Sequence, residues 1–167
     1  MAALFALRPA EAGDDAFLRA LHASTRQDLA SVGLPPEQVQ ALLDLQHRAR
    51  ESSYRQQFPG AEDRLVVVEG SPVGRLLLAR EPGRIRVVDI ALLPEARGRG
   101  IGTAVLASVL EQGRAGGQAV ALHVEAGNPA RALYERLGFG VVAEQPPYQE
   151  LEWRPGGSAL DLPSSSG

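Results

Sequence analysis

The chain has no cysteine and no lysine, one methionine, one tryptophan and only 5% aromatic residues. The missing thiol excludes disulfides, thiolate catalysis and zinc–thiolate sites in one step. The missing lysine leaves all 17 basic residues as arginine and removes every side chain that could form a Schiff base. No apolar run reaches the ~20 residues of a membrane-spanning helix, and no N-terminal signal segment is evident, so a cytoplasmic protein with no membrane partner is expected. The net charge of -3 supplies no general attraction to nucleic acid. What remains is enough for one sizeable core: 167 residues with 44% hydrophobic content. One domain over residues 1–154 is therefore expected, followed by a Gly-, Ser- and Pro-rich tail, 155–167, that reads as disordered.

Apolar patterning predicts the elements. Leu4–Arg8, stopped by Pro9, reads as a first strand, and Asp14 opens a helix with Phe17, Leu18, Leu21 and His22 at helical spacing. His22 is there a boundary residue of the apolar face. Ser31–Pro36 breaks this helix, and Pro36 with Glu37 opens a second that runs to about Gln57. Its apolar face is Val39, Leu42, Leu43 and Leu45. The polar run His47, Arg48, Arg50, Glu51 and Arg55 reads as a solvated face, with an acceptor-binding surface as the alternative. Tyr54 and Phe58 read as core aromatics or as the edge of a pocket.

Arg64–Glu69 and Val73–Ala79 then form an antiparallel hairpin, and Arg84–Leu92 a long central strand. Ile101, Val105, Leu106, Val109 and Leu110 mark one face of a helix ending between Gly113 and Gly117. A right-handed crossover makes the next strand, Ala119–Val124, parallel to 84–92. Asn128-Pro129 starts a short helix through Leu137, and Phe139–Ala143 with Tyr148–Trp153 close the chain as a strand pair. The class is α/β: one mixed, mostly antiparallel sheet of about seven strands with a central parallel pair, flanked by about four helices.

Between the central strand and the following helix runs Leu92-Leu93-Pro94-Glu95-Ala96-Arg97-Gly98-Arg99-Gly100-Ile101-Gly102-Thr103. Gly98, Gly100 and Gly102 can take positive φ and expose consecutive N–H groups. The helix beginning near Gly100 leaves its first amides unpaired, and its dipole favours negative charge. A pyrophosphate fits such a turn. A dinucleotide-binding βαβ unit is the competing reading. Against it stand Thr103 at the third glycine position, the spacer Leu93–Ala96, and antiparallel strands where a doubly wound sheet would have parallel ones. A purely structural turn would not need three glycines flanked by two arginines.

Arg97-x-x-Gly100-x-Gly102, with Asn128-Pro129-Ala130-Arg131-Ala132-Leu133-Tyr134-Glu135-Arg136-Leu137-Gly138-Phe139 downstream, resembles the two signatures of the GNAT superfamily of N-acetyltransferases. The resemblance covers residues 4–154 in order of elements and is tight over 85–140. It implies acetyl-CoA as cosubstrate and a bulge that splays the central strand from its parallel neighbour. The pyrophosphate then belongs to the amides of Arg97, Gly98, Arg99, Gly100, Ile101, Gly102 and Thr103, with the Arg97 and Arg99 side chains second. The pantetheine arm belongs to backbone at Ile90–Leu93, with Leu92 or its neighbour polarising the thioester carbonyl, and Asn128 bonds that arm or the nearby strand. Tyr134 is implied as the general acid for the leaving sulfur.

With no cysteine and no serine in a nucleophile setting, the expected chemistry is direct attack by a neutral amine. An alkylamine of pKa near ~10.4 must first lose a proton. Asp89 and Glu125 are the candidate bases, with His123 third. The acceptor is a small-molecule or peptide amine; a non-catalytic acetyl-CoA sensor is the alternative function. Homodimerisation through the closing strands is compatible with the resemblance.

Overall fold

The computed structural model describes residues 4–156; the tail expected from 155 onward lies outside these, apart from its first two residues. The strands are β1 (Ala6–Pro9), β2 (Glu62–Val68), β3 (Ser71–Glu81), β4 (Arg84–Leu92), β5 (Ala119–Glu125), β6 (Gly140–Gln145) and β7 (Tyr148–Trp153). The helices are α1 (Asp15–Ser24), α2 (Pro36–Gln57), α3 (Ile101–Gly116) and α4 (Arg131–Arg136). The strands form one sheet in the order β1-β2-β3-β4-β5-β7-β6, with β4 and β5 as its parallel pair and the other neighbours antiparallel. Contacts divide the chain into two units, Met1–Leu77 with Asp89–Arg99, and Leu78–Val88 with Gly100–Gly167.

In the first unit, β1 pairs with β2 from Ala6↔Val67 to Pro9↔Arg64. Pro9 therefore ends the strand from within, a place open to it because β1 is an edge strand. A short 3-10 turn, Ala12–Asp14, comes before α1. The Arg8 guanidinium grips both Asp14 oxygens at 2.9 Å, and the Glu11 N–H donates to Asp14 at 2.8 Å. Those bonds hold the Asp14 carboxyl down at about 2. Leu18 and Leu21 pack on Leu65, with Phe17, Val67, Ala91 and Leu93 around them.

Pro36 opens α2 where expected, and Leu43 and His47 form its buried stripe. Leu45, expected on that stripe, is 56% exposed, because two residues carry it about 200° around the helix from Leu43. Glu69 and Gly70 join β2 to β3 with φ of 52° and 82°, the double positive φ that a two-residue hairpin requires.

In the second unit, Ile101, Val105, Leu106, Val109 and Leu110 are the buried face of α3, as their spacing predicts. The helix stops at Gly117, whose φ of 64° is left-handed, and the Gln118 N–H returns to the Gly113 carbonyl at 2.8 Å. β5 pairs with β4 in parallel from Arg84↔Ala119 to Val87↔Leu122, and with β7 antiparallel from Val120↔Trp153 to Glu125↔Tyr148. Gly113 lies close against this sheet: a Cβ there would stand 2.8 Å from the Gln118 carbonyl, 2.9 Å from a Trp153 ring carbon and 3.2 Å from a Val120 methyl. Gly113→Val is accordingly expected to cost about 1–3 kcal/mol in a denaturant melt, since both side chains are buried and the nearest atom is backbone.

The regular part of α4 is shorter than the predicted Asn128–Leu137. Residues 128–130 form the turn that caps it: the Asn128 Oδ1 accepts the Ala130 N–H at 2.8 Å, and its carbonyl accepts the Arg131 N–H at 3.0 Å.

Candidate functional site

Two of the three glycines of the turn take positive φ, while Gly102 lies within the first turn of α3. Gly98 and Gly100 have φ of 73° and 80°, and a Cβ on either would meet nothing within 4 Å, so both open onto free space. The first bond of α3 is the Ala104 N–H on the Gly100 carbonyl, at 3.0 Å. The N–H groups of Ile101, Gly102 and Thr103 thus have no acceptor within the helix, no side chain caps this end, and its first turn holds no acid. Arg97 and Arg99 are exposed beside it, Arg97 with its Nε turned back onto the Leu92 carbonyl at 3.0 Å. Unpaired amides, a favourable dipole and absent side chains fit a diphosphate.

The end of β4 is prepared by a change of register. A two-residue turn, Pro82-Gly83, joins β3 to β4 and pairs Glu81 with Arg84; continued, that register would set Val73 opposite Leu92. The Leu93 N–H instead donates to the Val73 carbonyl, at 2.8 Å. One extra residue therefore sits in β4, the bulge implied by the family resemblance. Leu93 spends both backbone groups within the chain, its carbonyl accepting the Ala96 N–H at 2.9 Å. Strand alternation turns the Leu92 N–H away from β3, which leaves Leu92, rather than Leu93, with an amide for a ligand. Ile90 lies two residues earlier and is half-buried. Gly74 permits the approach: any Cβ there would collide with the Ala91 carbonyl and the Leu92 side chain.

Asp89, on the same stretch of β4, sits in a cluster that sequence reasoning did not assemble. The Tyr54 hydroxyl accepts the Arg50 Nε–H at 2.7 Å, and the charge of Asp89 acts on both Tyr54 and Arg50. Arg75, only 4% exposed on β3, is held by Glu51 at one end of its fork and by Asp63 at 2.8 and 2.9 Å. Both guanidiniums stack on the Tyr54 ring, with Cζ 5.7 Å (Arg50) and 5.5 Å (Arg75) from its centroid. Loss of water pushes the Asp89 carboxyl above the usual range, against the pull of Arg50, Arg75 and the Tyr54 hydroxyl. Burial, helped by the Asp89 charge, pushes the Tyr54 hydroxyl up to about 12, so it keeps its proton at neutral pH. A cavity of about 240 Å³ adjoins, lined by Glu51, Tyr54, Phe58, Asp63 and Arg75 among others.

The polar run on α2 is thus only partly the solvated face it resembles. His47 is buried and lies 3.3 Å from Asp15, while Arg50, Glu51 and Tyr54 build the cluster. The clue in the sequence was Arg75, a lone cation in the apolar strand Val73–Ala79, which needs acidic partners once buried.

The remaining sequence-predicted residues lie in the second unit. Tyr134 is buried, with its ring edge-on to Phe139 at 5.9 Å and its carbonyl accepting the Leu137 and Phe139 N–H groups. Asn128 is exposed, with Oδ1 committed to the helix cap. Glu125 ends β5 exposed, and no described residue bonds its carboxylate. His123 is tied at Nδ1 to Arg86, 3.2 Å away, within a network of Arg84, Arg86, Glu81 and Glu150.

Residues 26–139 match the model of the acetyltransferase (GNAT) family. No curated protein sequence matches the chain. Among solved structures, the fold is similar to PaiA N-acetyltransferase from Thermoplasma acidophilum in complex with coenzyme A, at 15% identity and a TM-score of 0.68 over 90% of this chain and 98% of that one. It is also similar to an acetyltransferase from Thermus thermophilus, at 19% identity and a TM-score of 0.67 over 91% and 97%. Ard1 from Thermoplasma volcanium aligns at 17% identity and a TM-score of 0.62 over 93% and 100%.

Proposed function

Because the chain belongs to the acetyltransferase (GNAT) family, whose fold binds acetyl-CoA for acyl transfer, we propose that it is an N-acetyltransferase carrying the acetyl group directly to a primary amine of a small molecule or a protein N-terminus. The observation that carries this reading is the open start of α3, with three amides unpaired and two positive-φ glycines facing free space. Bound there, acetyl-CoA supplies an activated acyl carbon and a thiol leaving group.

The amides of Ile101, Gly102 and Thr103, with Gly98, Arg97 and Arg99, hold the diphosphate. The Leu92 N–H would donate to the thioester oxygen, where a fixed donor stabilises developing negative charge. Asp89 takes a proton from the acceptor's ammonium, and its raised carboxyl narrows the gap to the amine it must deprotonate. Glu125 is the second candidate for that proton. As the new C–N bond forms and the C–S bond breaks, Tyr134 gives its proton to the sulfur. Tyr134→Phe is expected to lower kcat by about tenfold with acetyl-CoA affinity unchanged. The loss is modest because a thiol of pKa near ~8.5 leaves without much help.

Val141 and Val142 are 40% and 51% exposed on β6, the outermost strand, which supports a homodimer through the closing strands. No described helix is long and apolar enough to cross a membrane. A non-catalytic acetyl-CoA sensor is the second reading, favoured by the burial of Tyr134, which suits a core aromatic as well as an acid. Calorimetric titration with acetyl-CoA, CoA and NAD tests the donor site. Binding of the first two and not of NAD is expected; binding of NAD alone contradicts the assignment.

A further inference from the structure

We propose that Arg50 recognises an anionic group on the acceptor, so that the preferred substrate is an amine with a carboxylate within a few bonds of its nitrogen, such as a free amino acid. The inference rests on the acetyltransferase reading and deepens it by naming the acceptor class.

Arg50 is exposed, yet it does not swing freely. Its Nε donates to the Tyr54 hydroxyl at 2.7 Å, its Cζ stacks 5.7 Å from the Tyr54 centroid, and its Nη1 lies 3.5 Å from the His22 Nδ1. A guanidinium fixed in this way presents its remaining N–H groups in one direction. Among the described residues no carboxylate forms an ion pair with it, whereas its neighbour Arg75 is saturated by Glu51 and Asp63. Burial works against the Arg50 charge, and Asp89 with Tyr54 outweighs that cost, so the guanidinium stays charged.

Nothing anionic faces Arg50 from the α1 side. Burial, with the charges of Arg50 and Arg26, holds the His22 imidazole below its usual range, and Gln46, 3.3 Å from its Nε2, also takes an N–H from Arg26 at 3.1 Å. Asp89 is near enough for its charge to act on both Arg50 and Tyr54. A fixed cation with no ion-pair partner among the described residues thus lies near a carboxylate, and a zwitterion matches the two at both ends: ammonium to Asp89, carboxylate to Arg50. A diamine would set its second cation against Arg50, and a peptide N-terminus would bring only a neutral amide.

The test compares common amino acids with their carboxamides and their decarboxylated amines, read as thiol release from acetyl-CoA. The wild-type protein is expected to favour an amino acid over its carboxamide by about tenfold or more in kcat/KM, a preference of the size a charge-assisted hydrogen bond supports. Arg50→Gln is expected to bring that ratio to about one, whatever the overall rate, and Arg50→Lys to retain part of it. A wild-type ratio of one, turnover of the decarboxylated amines alone, or an unaltered ratio in Arg50→Gln overturns the proposal. Calorimetric binding of the same amino acids and carboxamides needs no turnover: the wild type should favour the amino acid and Arg50→Gln should not. If no amine releases thiol, the acetyltransferase reading fails while the binding difference still decides Arg50. If amines turn over without regard to the carboxylate, the Arg50 assignment fails alone.

Discussion

Gly100→Glu is expected to abolish acetyl-CoA binding, with Kd raised by at least about a hundredfold in a calorimetric titration. Three effects act in the same direction. At φ 80° any side chain is strained in the left-handed region, by roughly 1–2 kcal/mol. The Cβ projects into the open space in front of the first amides of α3, where a diphosphate needs close approach to backbone. The carboxylate then competes for those N–H groups and repels the incoming phosphates. Folding should suffer little, because an acid at a helix N-terminus is favourable to the dipole and no neighbour stands in the way. Gly100→Ala separates the effects: it keeps the strain and adds no charge, so a smaller loss is expected. A Gly100→Glu protein that binds acetyl-CoA normally would remove the turn from the cofactor site.

Asp89→Asn is expected to lower kcat/KM by about a hundredfold, the range seen when a general base is lost, and at the same time to raise the melting temperature at neutral pH. The two changes share one cause. The folded protein raises the Asp89 carboxyl above its unfolded value, chiefly by taking it out of water. Both states are protonated well below pH 3.8, so Asp89 costs nothing there; as pH rises through the raised folded value the protein must ionise a poorly hydrated group, and stability falls. Asparagine avoids that ionisation. The pH profile carries the same signature. Wild-type kcat/KM should rise as Asp89 loses its proton, in a setting fixed by Arg50, Arg75, Glu51 and Tyr54. The Asn variant should lose that limb and retain only the one set by the amine. Unchanged activity would transfer the proton to another group, Glu125 first.

The elements and the glycine turn were legible in the sequence because local chemistry specifies them. Helix α2 runs from Pro36 to Gln57 and β4 from Arg84 to Leu92, where proline, turn residues and apolar runs predicted them. The glycines at 98 and 100 specify the turn by the positive φ that only they adopt cheaply. Arg50, Tyr54 and Asp89 were not legible as a unit, because their meeting depends on how α2 lies over β3 and β4, and no local pattern encodes that. Register arithmetic was equally hidden: that Leu92 and not Leu93 keeps an amide for a ligand follows from one extra residue in β4, which alternation of side chains does not reveal. Leu45 failed for a simpler reason, an apolar residue taken for part of a stripe from which the helical turn removes it.

The most direct measurement is thiol release from acetyl-CoA by the purified protein, with and without a panel of primary amines, followed by mass analysis of the amine product. Thiol release that depends on an amine, with one acetyl group gained on its nitrogen and a slower rate in Tyr134→Phe, is the predicted result. Tight acetyl-CoA binding with no release from any amine would contradict catalysis and leave a protein that only senses the cofactor.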